Sequence, residues 1–292
     1  MKDKDSQSSL SDDVRTYYEQ GLEISRLSSP EGQLEFARTQ EIIARFLPEP
    51  PAIILDIGGG PGAYATWLSK LRYEVHLVDP MPLHVDQSRE ASNRQPEFPI
   101  RSITIGDARH VDKPDDFADL VLLLGPLYHL TEQTERIAAM REAYRLLKPG
   151  ALLIGVAISK YASTLAGLID GYITDPQFLK IMKQDLLDGQ HRNPTHKAKY
   201  FTEAYFHHPD ELVEEVLEAG FSIECMLAVE GPAVFLQDLE DRWINIEQRN
   251  LIIESIRWVE EEPALLGATG HLAVVGRKEA SYQRSINKRM QG

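Results

Sequence analysis

Ala52-Ile-Ile-Leu-Asp-Ile-Gly-Gly-Gly-Pro-Gly62 decides the fold. A short, β-branched apolar run ends at Asp56 and Ile57, and a glycine cluster follows at once. The run is too short for a helix and reads as a buried strand. The glycines let the backbone turn sharply and approach a ligand with no Cβ in the way. Ala63 to Leu71 reads as a helix, so the order is strand, glycine loop, helix. A doubly wound α/β domain builds a nucleotide-type site with that order, at the carboxyl end of its first strand.

Charge narrows the ligand. Gly58, Gly60 and Ala63 fit the dinucleotide pattern G-x-G-x-x-G/A, which admits NAD and an oxidoreductase as an alternative. Asp56 is expected at the lip of the site, where a carboxylate repels a pyrophosphate, and Pro61 has no N–H for a phosphate. A ligand without phosphate and with a cationic amine suits the loop better. S-adenosylmethionine, with its ammonium, sulfonium, ribose and adenine, is such a ligand.

The following strands add to this. Glu74-Val-His-Leu-Val-Asp79 is apolar and closes on an acid, followed by Pro80. That acid lies near the offset expected for a carboxylate that grips ribose hydroxyls. A third strand, Arg101 to Ile105, runs into Gly106-Asp107-Ala108, where an acid can accept from an exocyclic amine. A fourth, Leu120 to Leu124, runs into Gly125-Pro-Leu-Tyr128-His129-Leu130. A helix to Leu147 stops at Lys148-Pro-Gly150, and a fifth strand covers Ala151 to Ile158. Asp56, Asp79 and Asp107 thus stand at three successive strand ends. Asp also favours caps and turns, which is the alternative for any one of them.

Leu55-Asp-Ile-Gly-Gly-Gly-Pro-Gly62, Leu77-Val-Asp79, Gly106-Asp-Ala108 and Ala143-Tyr-Arg-Leu-Leu-Lys-Pro-Gly150 resemble a class I S-adenosylmethionine-dependent methyltransferase of the small-molecule type. His271 to Arg277 resembles that family's last strand. The resemblance implies a doubly wound, mostly parallel, seven-stranded Rossmann-like sheet of order 3-2-1-4-5-7-6 with one reversed strand. It implies S-adenosylmethionine as cofactor and S-adenosylhomocysteine as product, and leaves the acceptor open. The residues expected at the cofactor are Arg38, Asp56, Gly58, Gly59, Gly60, Asp79, Pro80, Asp107, Ala108, Leu124, Gly125 and Tyr128. Arg38, on the helix before the first strand, is placed there because a guanidinium can pair with the cofactor carboxylate.

The expected organisation is an N-terminal helical extension (1–50), a Rossmann-like core (51–158 and 208–278) with a helical insertion at about 231–268, and a tail (279–292). Residues 1–10 read as disordered. Phe221, Ile223, Cys225, Leu227 and Val229 read as one face of a strand, with Cys225 a buried inert thiol. Segment 159–207 is too long for an ordinary connection and reads as a helical lid over the acceptor, with a dimer arm, and hence a homodimer, as the alternative.

The chemistry is an in-line displacement, in which the protein mainly aligns the reactants and excludes water. A general base is needed only where the attacking atom loses a proton. His129 is the candidate catalytic residue. Tyr18, Tyr161, Tyr200, Tyr205, His207 and His208 are candidates for the acceptor pocket, and Tyr17, Tyr18, Glu23 and Arg26 for the cleft in which Arg38 is expected to meet the cofactor carboxylate. His191, His196, His207, His208 and Asp210 match no tight ligand spacing, so no metal is expected.

The 292 residues carry 31 basic and 45 acidic side chains, a formal charge of −14. Phosphate contacts need clustered Lys and Arg, so nucleic acid is disfavoured as a partner, and a protein or RNA acceptor ranks below a small molecule. A single cysteine, no membrane-length apolar run and a polar start without a signal-peptide core fit a cytoplasmic protein.

Overall fold

The computed structural model describes residues 10–21 and 23–280. The expected disordered start, apart from Leu10, and nearly all of the tail lie outside the described residues. Before the sheet come α1 (Asp12–Glu19), α2 (Glu23–Arg26) and α3 (Pro30–Arg45). Ser29 caps α3 by accepting from the Gly32 N–H at 3.0 Å, and Pro30 opens it.

The core alternates β1 (Ile53–Ile57), α4 (Ala63–Lys70), β2 (Glu74–Asp79), α5 (Pro82–Asn93), β3 (Ser102–Ile105), β4 (Ala118–Leu123), α6 (Pro126–His129), α7 (Gln133–Leu146) and β5 (Leu147–Ser159). The lid segment holds α8 (Ala162–Ile169), α9 (Pro176–Asp188) and β6 (Gln190–His191). It is followed by β7 (Ala204–His207), α10 (Pro209–Glu218), β8 (Ser222–Ala228), α11 (Leu239–Ile244), α12 (Ile246–Arg257) and β9 (His271–Arg277).

The main sheet runs β3-β2-β1-β4-β5, parallel throughout, and β9 and β8 complete it beyond β5. Among these seven strands only β9 is reversed, antiparallel to both β5 and β8, while β7 adds in parallel to the far end of β5 and the two-residue β6 pairs antiparallel with β7. The order expected from the resemblance is therefore the observed one.

Strand alternation splits the core into two layers. Leu55, Ile57, Val121, Leu123 and Leu153 pack with α7 (Ile137, Met140, Ala143) and α10 (Leu212, Val216) on one face. Ile54, Val75, Leu77, Leu122 and Ile154 pack with α4 (Ala65, Leu68) and Ile43 of α3 on the other. With both faces covered, the strands read as continuous apolar runs rather than as alternation.

Two expectations need correction. The helical segment expected over 159–207 does not run to residue 207. Residues 204–207 form β7, which pairs in parallel with the far end of β5: Ile158 faces Phe206 on one edge and His271 on the other. Two side chains of β7 turn toward the helix layer, so the segment is sheet rather than helix. Nor do the five apolar residues of β8 share one face. The register slips between Ile223 and Cys225, and this bulge sends Phe221 and Ile223 to the α7/α10 side. Cys225, Leu227 and Val229 go to the α3 side. Burial there pushes the Cys225 thiol up to about 11. The insertion after β8 is helical as expected and packs Ala233, Leu239, Trp243 and Ile256 against Leu34 of α3.

Candidate functional site

The carboxyl ends of β1, β2, β3 and β4 meet at one cavity of about 90 Å³. Bare peptide forms much of its wall, because Gly58, Gly60, Gly106 and Gly125 all line it. Gly58 has φ +72°, and a Cβ there falls 2.6 Å from the Pro126 ring, so the β1 and β4 turns touch only because it is glycine. Gly60 has φ +55° and nothing within 4 Å of where a Cβ would sit. Asp79 fixes this loop: one of its oxygens accepts from the Gly60 N–H at 2.8 Å, the other from the Met81 N–H at 2.8 Å. His84 Nδ1 lies 3.2 Å from the same second oxygen. Asp107 stands across the cavity, gripped by the Arg109 guanidinium at 2.6 Å. Pro80, Ala108 and Tyr128 complete the expected lining.

The charge of this cavity is one-sided. Glu23, Asp79 and Asp107 line it, and no lysine or arginine does among the described residues. Arg26 and Arg109, just outside the lining, pair with Glu23 and Asp107, so Asp79 is the acid left without an arginine partner, and the wall presents no cation to a pyrophosphate. The acids at the β2 and β3 ends also offer acceptors for ribose hydroxyls and an exocyclic amine. S-adenosylmethionine fits this donor and acceptor set.

The electrostatic preference expected of Asp56 is thus carried by other residues. Asp56 is fully buried beneath the loop, where a Cβ on Gly59 would come 2.7 Å from its oxygen. Both its oxygens lack a close hydrogen-bond partner. Burial first, and the neighbouring Asp79 charge second, push its carboxyl up to about 7. It braces the loop from below and does not line the cavity. Gly59 is likewise a packing residue against Asp56 and Leu77. Leu124 packs into the apolar layers and lines neither cavity described here.

Arg38 is a clear departure. It is completely buried, its Nε donates to the Val229 carbonyl at 3.0 Å, and its guanidinium pairs with Glu41 and Glu260. A buried guanidinium needs fixed acceptors, and the end of β8 and the turn after α12 supply them. It therefore ties α3 to the sheet and the insertion, away from the cofactor cavity.

α1 roofs the cavity. Val14 and Tyr18 pack on Met81, and the Tyr18 hydroxyl lies 2.6 Å from His129 Nε2. His129 is half-buried, and desolvation of its ring drives its pKa down to about 3, so the ring is neutral at any physiological pH. Its Nδ1 has no partner.

Tyr18, Glu23 and Tyr128 also line a second cavity of about 250 Å³. Its walls are Ile158 from the sheet and Ala162, Ala166, Tyr172, Phe178, Tyr200 and Phe201 from the lid, with Phe206 of β7. Polar anchors hold these lid pieces together. Asp185 of α9 accepts from Ser163 of α8, and His191 Nδ1 stands 2.9 Å from the same oxygen. His191 Nε2 meets the Tyr200 carbonyl at 2.8 Å. At the other wall, Arg26 pairs with Glu23 at 2.8 Å and with Glu35. His271 pairs with Glu230 at 2.6 Å. Burial works against the His271 charge, but Glu230 outweighs it and holds the imidazolium up to about 9. Glu35, Glu230 and His271 offer ligand atoms within 4.8 Å of one another, yet these are already engaged as ion pairs.

Of the acceptor candidates, Tyr18 and Tyr200 line this cavity; Tyr161, Tyr205, His207 and His208 do not. Tyr161 packs against Gly267, where a Cβ would lie 2.9 Å away. The Tyr205 ring lies under the Arg136 guanidinium, 3.7 Å from its centre. His207 is fully buried beside Glu215, and His208 caps α10 by accepting from the Asp210 N–H at 3.2 Å. The β7 pairing turns Tyr205 and His207 toward Arg136 of α7 and Glu215 of α10. Sequence reading missed Tyr172, Phe178, Phe201 and Phe206, since nothing local distinguishes a cavity aromatic from a core one. It also missed Met81, His84 and Leu10 in the first cavity.

Residues 55–155 match the family described as a methyltransferase domain. The chain is 29% identical over 175 residues to the ubiquinone/menaquinone biosynthesis C-methyltransferase UbiE of Neisseria meningitidis, spanning 58% of this chain and 66% of that protein. A methyltransferase structure from Methanosarcina mazei shares the fold at TM-score 0.57 and 19% identity, covering 82% of this chain and 98% of that one. A Thermotoga maritima methyltransferase structure does so at TM-score 0.56 and 18% identity, covering 90% and 99%. Residues 55–155 thus carry a methyltransferase domain, and the observed strand order is the one shared with S-adenosylmethionine-dependent methyltransferase structures.

Proposed function

We propose that this chain transfers the methyl group of S-adenosylmethionine to a small aromatic acceptor held in the cavity beneath the lid. The observation that carries the reading is continuity. Tyr18, Glu23 and Tyr128 line both cavities, so a ligand in the acidic one faces a ligand in the aromatic one across a few side chains. The UbiE relative is named for quinone biosynthesis, which supports an aromatic acceptor. A cavity of about 250 Å³ suits a small bicyclic molecule rather than a peptide or an RNA loop.

When bound, the cofactor supplies an electrophilic methyl on a sulfonium. The chain's residues bind, align and exclude water. Gly58 and Gly60 admit the ligand against bare peptide, while Asp79 and Asp107 accept from its polar edges. The first cavity is smaller than an ordinary ligand site, so the Tyr18 roof moves to admit the cofactor. His129 is the proposed catalytic residue in a positioning role: its neutral ring, tied through Nε2 to the Tyr18 hydroxyl, orients the reacting group, and with a pKa held down to about 3 it is too weak a base to keep an acceptor's proton.

The test is calorimetry with S-adenosylhomocysteine, followed by labelled S-adenosylmethionine with a fractionated metabolite extract. Micromolar binding and label in a low-mass aromatic product are expected. Binding of NAD with none of S-adenosylhomocysteine, or label only in protein or RNA, overturns the proposal.

A further inference from the structure

The charges lining the second cavity are unevenly satisfied. Arg26 is held by Glu23 and Glu35, and His271 by Glu230. Lys199 also lines the cavity, on the short 3-10 turn Ala198–Tyr200, and it is exposed. No carboxylate lies within 4.0 Å of its ammonium among the described residues. Its near neighbours are instead two ring faces, with Nζ 5.0 Å from the Tyr172 centroid and 4.9 Å from that of Tyr200. Of the acids on that side, Asp175 is bonded to Lys197 at 2.9 Å and to the Tyr200 hydroxyl at 2.7 Å, and Asp170 is bonded to Tyr172. A cation over two rings is fixed in place without being neutralised. In a chain of formal charge −14, such a group is a local exception.

The rings give the cavity a direction. Phe201 lies 6.0 Å from the His129 ring, and Tyr200, the next residue, packs on Phe178 at 4.8 Å and Tyr172 at 5.3 Å. One end therefore meets the cofactor cavity, and the other ends at Lys199. We infer that the acceptor is an aromatic carboxylate, its anionic group on Lys199 and its opposite edge toward Tyr128 and His129. This rests on the proposed acceptor cavity and names the class of molecule it takes. Lys199 is exposed, so the contact is a surface ion pair of modest strength, added to the burial of the ring against the apolar wall.

The test uses the full chain saturated with S-adenosylhomocysteine and three probes of one shape: naphthoate, naphthamide and naphthylmethylammonium. Dissociation constants are read by calorimetry at physiological salt. Naphthoate is expected to bind about threefold more tightly than naphthamide, and the ammonium weakest. Lys199→Met should remove the naphthoate advantage while leaving naphthamide unchanged, and Lys199→Arg should keep it. Ala166→Trp, which fills the cavity, should abolish binding of all three. If the three bind equally and Ala166→Trp still removes them, the aromatic cavity stands and the carboxylate inference falls. An advantage that survives Lys199→Met, or naphthoate binding that survives Ala166→Trp, overturns it too. If no probe binds, the aromatic acceptor cavity fails, and this inference with it.

Discussion

The two cavities meet at Tyr18, Glu23 and Tyr128, but they are built in opposite ways. The cofactor cavity is made of strand ends: bare glycine peptides, and acids whose oxygens are fixed by backbone N–H groups. The second cavity is made of side chains from α8, α9, two short turns and β7, joined through Asp185 and His191. A site formed by backbone at strand ends depends on local chain order. One formed by ring faces depends on where distant segments dock. The first should therefore tolerate few substitutions and bind one kind of ligand, while the second can vary without disturbing the first.

Removing Arg38 gives the largest expected effect, and it separates structure from site. Arg38→Met leaves Glu260 buried with one cation fewer and frees the Val229 carbonyl, so unfolding free energy should fall by about 3–5 kcal/mol. S-adenosylhomocysteine affinity of the folded protein should stay within about twofold. A large loss of affinity with little loss of stability, measured by chemical denaturation and calorimetry, would return Arg38 to the cofactor site.

Next is the acid on which the glycine loop rests. Asp79→Asn replaces one of its acceptor oxygens with a donor facing N–H groups, at Gly60 or at Met81. S-adenosylhomocysteine affinity should drop by about thirtyfold, roughly 2 kcal/mol. Naphthamide binding in the second cavity should be nearly unchanged. Equal losses in both would mean that the cavities are a single unit.

The third concerns pH. Asp56 is pushed up to about 7 in the folded chain from an ordinary value of 3.8, mainly by burial. A carboxyl raised on folding binds a proton that the unfolded chain has released. Stability therefore falls as pH rises from about 4 to about 7, and the cost is complete above that. Asp56→Asn removes the cost, so it should stabilise by about 1–3 kcal/mol at pH 8 and by little at pH 4. Denaturant unfolding of both proteins at the two values checks this, and an equal effect at both would show that Asp56 is not protonated on folding.

The smallest effect lies in the lid. Phe178→Leu keeps the cavity apolar but removes the ring contacts with Tyr172 and Tyr200. Naphthamide should weaken about threefold, with S-adenosylhomocysteine unchanged. No change in either would take Phe178 out of the acceptor wall.

Much of the cofactor cavity was legible because its signals are short-range. Gly58, Gly60, Asp79, Pro80, Asp107, Ala108, Gly125 and Tyr128 each follow a strand end within a few residues, and all line the cavity. Asp56 and Arg38 were placed by their charge, and burial reversed both readings. Which side of the loop a carboxylate lies on depends on strand twist and on Leu77 packing beneath Gly59. The β8 bulge was unreadable for a similar reason: alternation in sequence assumes an unbroken register.

The sequence by itself determined the α/β class, the strand order implied by its motifs, and a glycine-and-acid site at the first strands' ends. These follow from strand length, turn chemistry and the spacing of a few residues along the chain. Only the tertiary structure decided that Tyr205 and His207 belong to a strand, that Arg38 is a buried tie, and that Tyr172, Phe178 and Tyr200 surround a cavity ending at Lys199. Those outcomes depend on which distant segments pack together, and packing is set by complementary shape and burial rather than by any local pattern.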